Sequence, residues 1–332
     1  MLNCCKTNAV VINYKKIAME TDVFFEFKKN GLSEVALRKI DAGVLTVGYV
    51  STDELPEVGN FFGFDENTIK ACSESNELFR SGVEVHKDYT FTELRIMNDD
   101  NEDDDYIALY MKKNMIIVVD ISDEDGSTKA KFFSAIDRYP VENVNCEKVL
   151  AAFLDSLLTG DHRVLETIEN ELAEEEDAIT EGDIDEEFNV TLLEIKKRVS
   201  KRHTYYAQLL DVADAVSEND NEIFDEANLI YIDNVSKRIS RLREDTGSLK
   251  STIEHLQDAY SSALDFKMNK TMKIFTVLTS IFFPLTIIVG WYGMNFQYMP
   301  EFAWRYGYLY VILLSIVIVL VFAIIGKKKK WF

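Results

Sequence analysis

The stretch KIFTVLTSIFFPLTIIVGWYGMNF, residues 273–296, decides how the rest of the chain is read. Ile274 to Tyr292 carries no charge, and about 20 apolar residues of helix cross the ~30 Å of hydrocarbon in a bilayer. A second apolar segment runs from Tyr306 to Ile325. The gap between them, Gly293 to Arg305, holds only Glu301 and Arg305 as charges and is too short to fold alone. Gly293-Met294-Asn295 opens that gap, which places its work at the membrane surface. Lysines set the orientation. Lys267, Lys270 and Lys273 precede the first span, Lys327 to Lys330 follow the second, and the loop has one arginine and no lysine. Positive residues stay inside, so both termini are expected in the cytoplasm and the Gly-Met-Asn loop outside. Ala9-Val10-Val11-Ile12 is too short for the apolar region of a cleaved signal.

Working inward along the first span, a step of four alternating with a step of three connects Asp258, Ser262, Asp265, Asn269, Met272, Thr276, Thr279, Phe283, Thr286, Gly290 and Gly293. That spacing keeps one helix face on a shared axis. The positions are mostly small or polar, whereas Ile274, Val277, Leu278, Ile281, Leu285, Ile288 and Val289 lie off the stripe. A polar stripe at membrane depth needs water or protein beside it. Close helix packing through Thr and Gly is one solution. The continuation into Asp258, Asp265 and Asn269 favours a pore, because carboxylates facing their own copies repel unless cations or water lie between them. Met272 and Phe283, with Phe275 as a neighbour, then read as apolar constrictions. Two spans cannot enclose a pore, so this reading requires a cyclic oligomer in the lipid bilayer.

The rest of the 332 residues is acidic, with a formal net charge of -21. Such a surface argues against nucleic acid and attracts cations. Cys4, Cys5, Cys72 and Cys146 form no C-x-x-C pair, so neither disulfides nor structural zinc is expected. His86, His162, His203 and His255 are scattered, and neither a phosphate loop nor a nucleophile elbow accompanies them. An enzyme is therefore not expected.

Residues 1–158 read as an α/β domain. Strands are expected near 44–50, 89–97, 106–111 and 115–121, with a helix over 54–62 and a turn at Lys112-Lys113-Asn114. The acidic run from Asn98 to Asp105 reads as an exposed loop, since it lacks the Gly and distal Glu of a Ca2+ loop. Residues 159–224 read as a helical hairpin. Its first helix is rich in Glu and its second, from Phe188, carries Lys196, Lys197, Arg198, Lys201 and Arg202, so facing charges are expected to match. From about Asp225 no breaker occurs before Pro284, with Gly247 tolerated, which implies one helix of some 65 residues. The expected order is completed by a stalk and first span over 225–292, a loop over 293–305, a second span over 306–326 and a basic tail over 327–332.

These residues resemble the CorA family of divalent-cation transporters. The resemblance rests on Asn269, Met272 and Lys273; on Phe282, Pro284, Leu285 and Thr286; on Tyr292 to Phe296; on Tyr298 to Glu301; and on the Lys-Lys-Lys-Lys-Trp tail. It implies an α+β, funnel-shaped homopentamer with an N-terminal α/β sandwich domain, an acidic hairpin and a long stalk continuous with the pore-lining span. It implies Mg2+ as substrate, with Co2+ and Ni2+ as further ions, moving inward through the cell (inner) membrane. Asn295 and the Gly293 carbonyl would bind hydrated Mg2+ at the outer mouth, beside Met294 and Glu301, and Thr286, Asn269 and Asp258 would repeat the contact deeper in. Two positions depart from the family pattern. Gln297 stands where many members carry an acid. At the stalk position matching a cytosolic Mg2+ sensor the chain has Asn234, with Asp233 beside it, and the partner position falls near Lys70 or Ala71. Alternatives are a Zn2+ transporter of the family's zinc branch, against which Met294 argues, and a membrane-anchored scaffold or signalling protein.

Overall fold

The computed structural model describes residues 23–28, 31–73, 82–98, 104–140, 143–182, 187–294, 299 and 304–328. By contact, the chain divides into two compact units, Met1–Glu174 with Glu187–Ile253 and Glu175–Glu186 with Glu254–Phe332.

The first unit is built on a seven-stranded sheet of β1 (Val23–Lys28), β2 (Gly31–Val35), β3 (Thr46–Ser51), β4 (Gly82–Val85), β5 (Tyr89–Ile96), β6 (Asp105–Lys112) and β7 (Met115–Ser122). Their order is β2-β1-β3-β7-β6-β5-β4, with β3 and β7 parallel and the other pairs antiparallel. β6 and β7 meet at Lys113-Asn114, where Asn114 takes the left-handed conformation (φ 58°) that such a tight turn requires. Apolar runs such as Ile116 to Val119 are buried throughout, as expected where both faces of a sheet are covered. One face packs α1 (Leu55–Phe62) and α2 (Glu66–Ser73) over Phe24, Val50, Phe91, Tyr110 and Ile117. The other carries α3 (Ser127–Ile136) and α4 (Cys146–Leu157), with Phe25 edge-on to Phe133 and Phe132 edge-on to Phe153. The result is a layered α/β domain. Gly48 lies opposite Phe24, and a Cβ there would sit 2.6 Å from the Phe24 ring, so the close strand contact needs glycine.

Helices α5 (Asp161–Glu181), α6 (Phe188–Glu218) and α7 (Ile230–Tyr292) follow. Among the described residues, charges on α5 and α6 meet at an exposed bidentate pair, Arg198 with Glu171 (2.8 and 3.2 Å), and at a buried pair, Arg202 with Asp161 (3.1 Å). α6 also closes a gap in the sheet. β4 pairs with β5 only over Thr90–Glu93, and beyond it the Gln208 amide bonds both backbone groups of Arg95. Along α7 the buried positions Ile232, Val235, Ile239, Leu242, Thr246, Leu249 and Ile253 step by three and four. Such burial stabilises a helix far too long to persist alone.

The acidic run behaves differently from the sequence expectation. Residues 99–103 lie outside the described part, but Asp104 and Asp105 are buried rather than exposed. Asp104 bridges Arg95 and Lys201 (2.7 Å), and Asp105 starts β6 and accepts from Ser127 Oγ (2.9 Å) and Thr128 Oγ1 (2.8 Å). Hydrogen bonds and counter-charges offset the desolvation that would otherwise keep these carboxylates outside.

The second unit contains the remainder of α7 and helix α8 (Gly307–Lys328), each with a stretch apolar and long enough to cross a membrane. Half-buried positions on α8 recur at Val311, Leu314, Ile318 and Phe322, bounded by buried Gly307 and Gly326. On α7 the half-buried positions include Val277, Ile281, Pro284 and Ile288. Many other apolar side chains of both helices are open, among them Phe282, Val289, Trp291, Tyr308 and Ile324.

Candidate ion-conduction site

α7 carries the polar stripe on one continuous helical face. Asp258, Ser262, Asp265, Asn269, Met272, Thr276, Thr279, Phe283, Thr286, Gly290 and Gly293 are all exposed within the chain. The half-covered face at Val277, Ile281 and Ile288 lies roughly opposite the stripe at 100° per residue, so the stripe is the side left open. Phe275 flanks the stripe and is 60% exposed.

The hydroxyls have a definite polarity. Thr276 Oγ1 donates to the Met272 carbonyl (2.8 Å), Thr279 Oγ1 to Phe275 (2.8 Å) and Thr286 Oγ1 to Phe282 (2.9 Å). With each proton committed to the backbone four residues earlier, the oxygen offers acceptor lone pairs to whatever occupies the open side. That arrangement suits the outward-pointing hydrogens of a hydrated cation and gives an anion nothing to accept. Asn269 and Thr286 are separated by about 26 Å along the axis, so polar contacts recur at well-spaced depths. Gly293 closes the helix, its N–H bonding the Val289 carbonyl at 2.9 Å. A Cβ at Gly293 would meet that same oxygen at 2.9 Å, so the last turn is too tight for a side chain. Met294 is exposed, while Asn295, Gln297 and Glu301 lie outside the described residues.

Asp233, the candidate regulatory residue beside the sensor position, lies on the exposed side of α7 with Asn234 and pairs with Lys237 at 2.7 Å. Lys70 on α2 pairs loosely with Glu66 at 3.9 Å. Two features were missed in the sequence. The first is the buried heptad of α7 from Ile232, legible in principle as an alternation of three and four. The second is a group of carboxylates at the start of α3: oxygens of Asp105, Asp123 and Asp125 lie within 4.8 Å of one another. Asp123 accepts from Tyr49 (2.9 Å) and the Lys129 N–H (2.8 Å), and Asp125 from Asn98 (2.9 Å) and the Ser127 N–H (2.8 Å). Burial, then the charge of Asp123, pushes nearby Asp120 up to about 6. The Asp-x-Asp-Gly spacing before Ser127 was the available signal.

A layered α/β domain, a helix of 63 residues and a short second apolar helix define a class of membrane protein with a large extramembrane domain. The family model for the CorA-like Mg2+ transporter protein matches residues 45–328, and the chain belongs to that family. It is a cell-membrane protein with two C-terminal spans and a cytoplasmic N-terminal domain. Among relatives, it is 26% identical to the cobalt/magnesium transport protein CorA of Thermotoga maritima, covering 97% of this chain and 91% of that protein. Its fold is similar to the complete CorA magnesium transporter of Methanocaldococcus jannaschii (TM-score 0.74, 20% identity, 94% of this chain and 99% of that one). The cytoplasmic domain of ZntB from Vibrio parahaemolyticus also matches (TM-score 0.58, 13% identity, 73% and 97%).

Proposed function

We propose that the protein is a channel-like Mg2+ importer in which five copies set the polar stripes of α7 around one axis as a funnel. The carrying observation is the stripe itself: open in the single chain, mostly polar or small through an otherwise apolar span, and leading to Gly293-Met294-Asn295 in the sequence. Mg2+ is the substrate, and it sheds first-shell water reluctantly. A ring of Asn295 amides and Gly293 carbonyls at the mouth accepts hydrogen bonds from that water and leaves the ion hydrated. Thr286, Thr279, Thr276 and Asn269 repeat the contact inward, Asp265 and Asp258 concentrate cations at the inner end, and Met272 and Phe283 narrow the path. Neutral oxygens bind moderately, as conduction requires. The membrane potential favours entry of two charges by about 4.6 kcal/mol per 100 mV. Asp233 is a weaker candidate for a regulatory ligand, because Lys237 already neutralises it.

Proteoliposomes containing a Mg2+ dye test the reading. Voltage-dependent Mg2+ entry, competed by Co2+ and Ni2+ and lost in Asn295→Ala, is expected. Zinc flux coupled to pH without Mg2+ flux would make the chain a zinc transporter, the reading that its likeness to ZntB supports. Unchanged flux in Asn295→Ala would remove the mouth from selection.

A further inference from the structure

A second heptad stripe runs along α7, on the covered rather than the open side. Within the second unit it begins with Leu256 and Tyr260, both buried, and resumes at Val277, Ile281, Pro284 and Ile288, all half-buried. The steps of three and four between these stretches fall on Ala263, Lys267, Lys270 and Ile274. Lys267, Lys270 and Ile274 are all exposed, so the two lysines lie on the open part of a stripe that is covered at Leu256 and Tyr260 and half-covered again from Val277. We propose that Lys267 and Lys270, together with Lys327 and Lys328 at the end of α8, hold the phosphate of an anionic phospholipid headgroup in the cytoplasmic leaflet.

Depth, facing and charge agree on this occupant. Taking Ile274 as the inner edge of the hydrocarbon, Lys270 lies about 6 Å and Lys267 about 10 Å beyond it along the helix. The polar headgroup layer adds about 5–8 Å on each side of the core, so an extended lysine from either position reaches phosphate depth. Around the helix, Lys267 is turned about 160° and Lys270 about 140° from Asp265. The acids of the polar stripe thus face one way and these bases the other; that the basic side is the lipid side rests on the pore reading. Two spans joined by a short loop bring the lysines that precede α7's apolar stretch and those that end α8 to the same side of the membrane. The last turn of α8 contains no acid.

The test uses the purified full-length protein in detergent with equal amounts of phosphatidylglycerol and phosphatidylcholine, and native mass spectrometry counts the lipid that each preparation retains. Preferential retention of phosphatidylglycerol, weakened by added salt, is expected. Lys267→Gln with Lys270→Gln should reduce that preference by about five-fold per lysine removed, and Lys267→Arg with Lys270→Arg should keep it. Equal retention of the two lipids by the unaltered protein overturns the proposal, as does an undiminished preference in the glutamine variant. Displacement of phosphatidylglycerol by glycerol phosphate at equal concentration would identify a free-phosphate site and also overturn it. The pore reading is judged by ion flux and not by lipid retention, so failure of one is distinguishable from failure of the other.

Discussion

Thr286 combines the chemistry of the proposed pathway in one side chain: its proton is bound to the Phe282 carbonyl and its oxygen lies on the open stripe. Thr286→Lys would place an ammonium from every copy on the same axis. At membrane depth such charges repel both one another and the substrate. Mg2+ uptake by proteoliposomes is expected to fall to background while assembly is retained; flux at the original rate would place Thr286 off the path. In the first unit the informative residue is Asp120. Its folded pKa of about 6 lies above the 3.8 of an ordinary aspartate, raised by burial and by Asp123. The folded state then binds the proton more tightly than the unfolded one. Stability is highest when Asp120 is protonated and declines as pH rises from about 4 towards 6. Asp120→Asn should remove that decline and raise the melting temperature at neutral pH, measured by thermal unfolding across the pH range.

At the scale of the element, α7 is one helix with three differently used faces. Its first half is stabilised by burial at Ile232, Val235, Ile239 and Leu242, and Ile239 is fully buried. Ile239→Ala should cost about 2–4 kcal/mol through lost contacts and the cavity left behind, read as a lower denaturant midpoint. A cost below 1 kcal/mol would mean that this stretch is not packed as described. The exposed Arg198–Glu171 pair on α5 and α6 contributes far less, because solvent screens both partners. Periodicity made α6, α7 and α8 legible, since long apolar or amphipathic runs leave few alternatives. Strands β5, β6 and β7 were legible for the same reason. β2 (GLSEV) and β4 (GVEV) are short, glycine-led and half open, so neither alternation nor a continuous apolar run announces them.

At the scale of the whole molecule, the open polar stripe of α7 leaves the membrane unit incomplete as a single chain, because polar groups at membrane depth need water or protein beside them. Light scattering on the purified protein, corrected for detergent, should give the mass of five chains; a monomer or dimer would rule out a central pore lined by α7. The sequence by itself determined the two spans, their orientation, the polar stripe and the family resemblance. Each follows from local chemistry: the length needed to cross hydrocarbon, lysine placement and a repeat along one helix. Only the tertiary structure decided which acids are buried. Asp104 and Asp105 read as a solvated run, yet Arg95 and Lys201 reach the first and Ser127 and Thr128 the second. Those partners lie up to 97 residues away in the chain, and a sequence shows where charges are but not which of them will meet. The same holds for Lys267 and Lys270. Their charge was plain in the sequence, but that they lie on the open part of a stripe covered at Leu256 and Tyr260 and half-covered again from Val277 became visible only once burial was known.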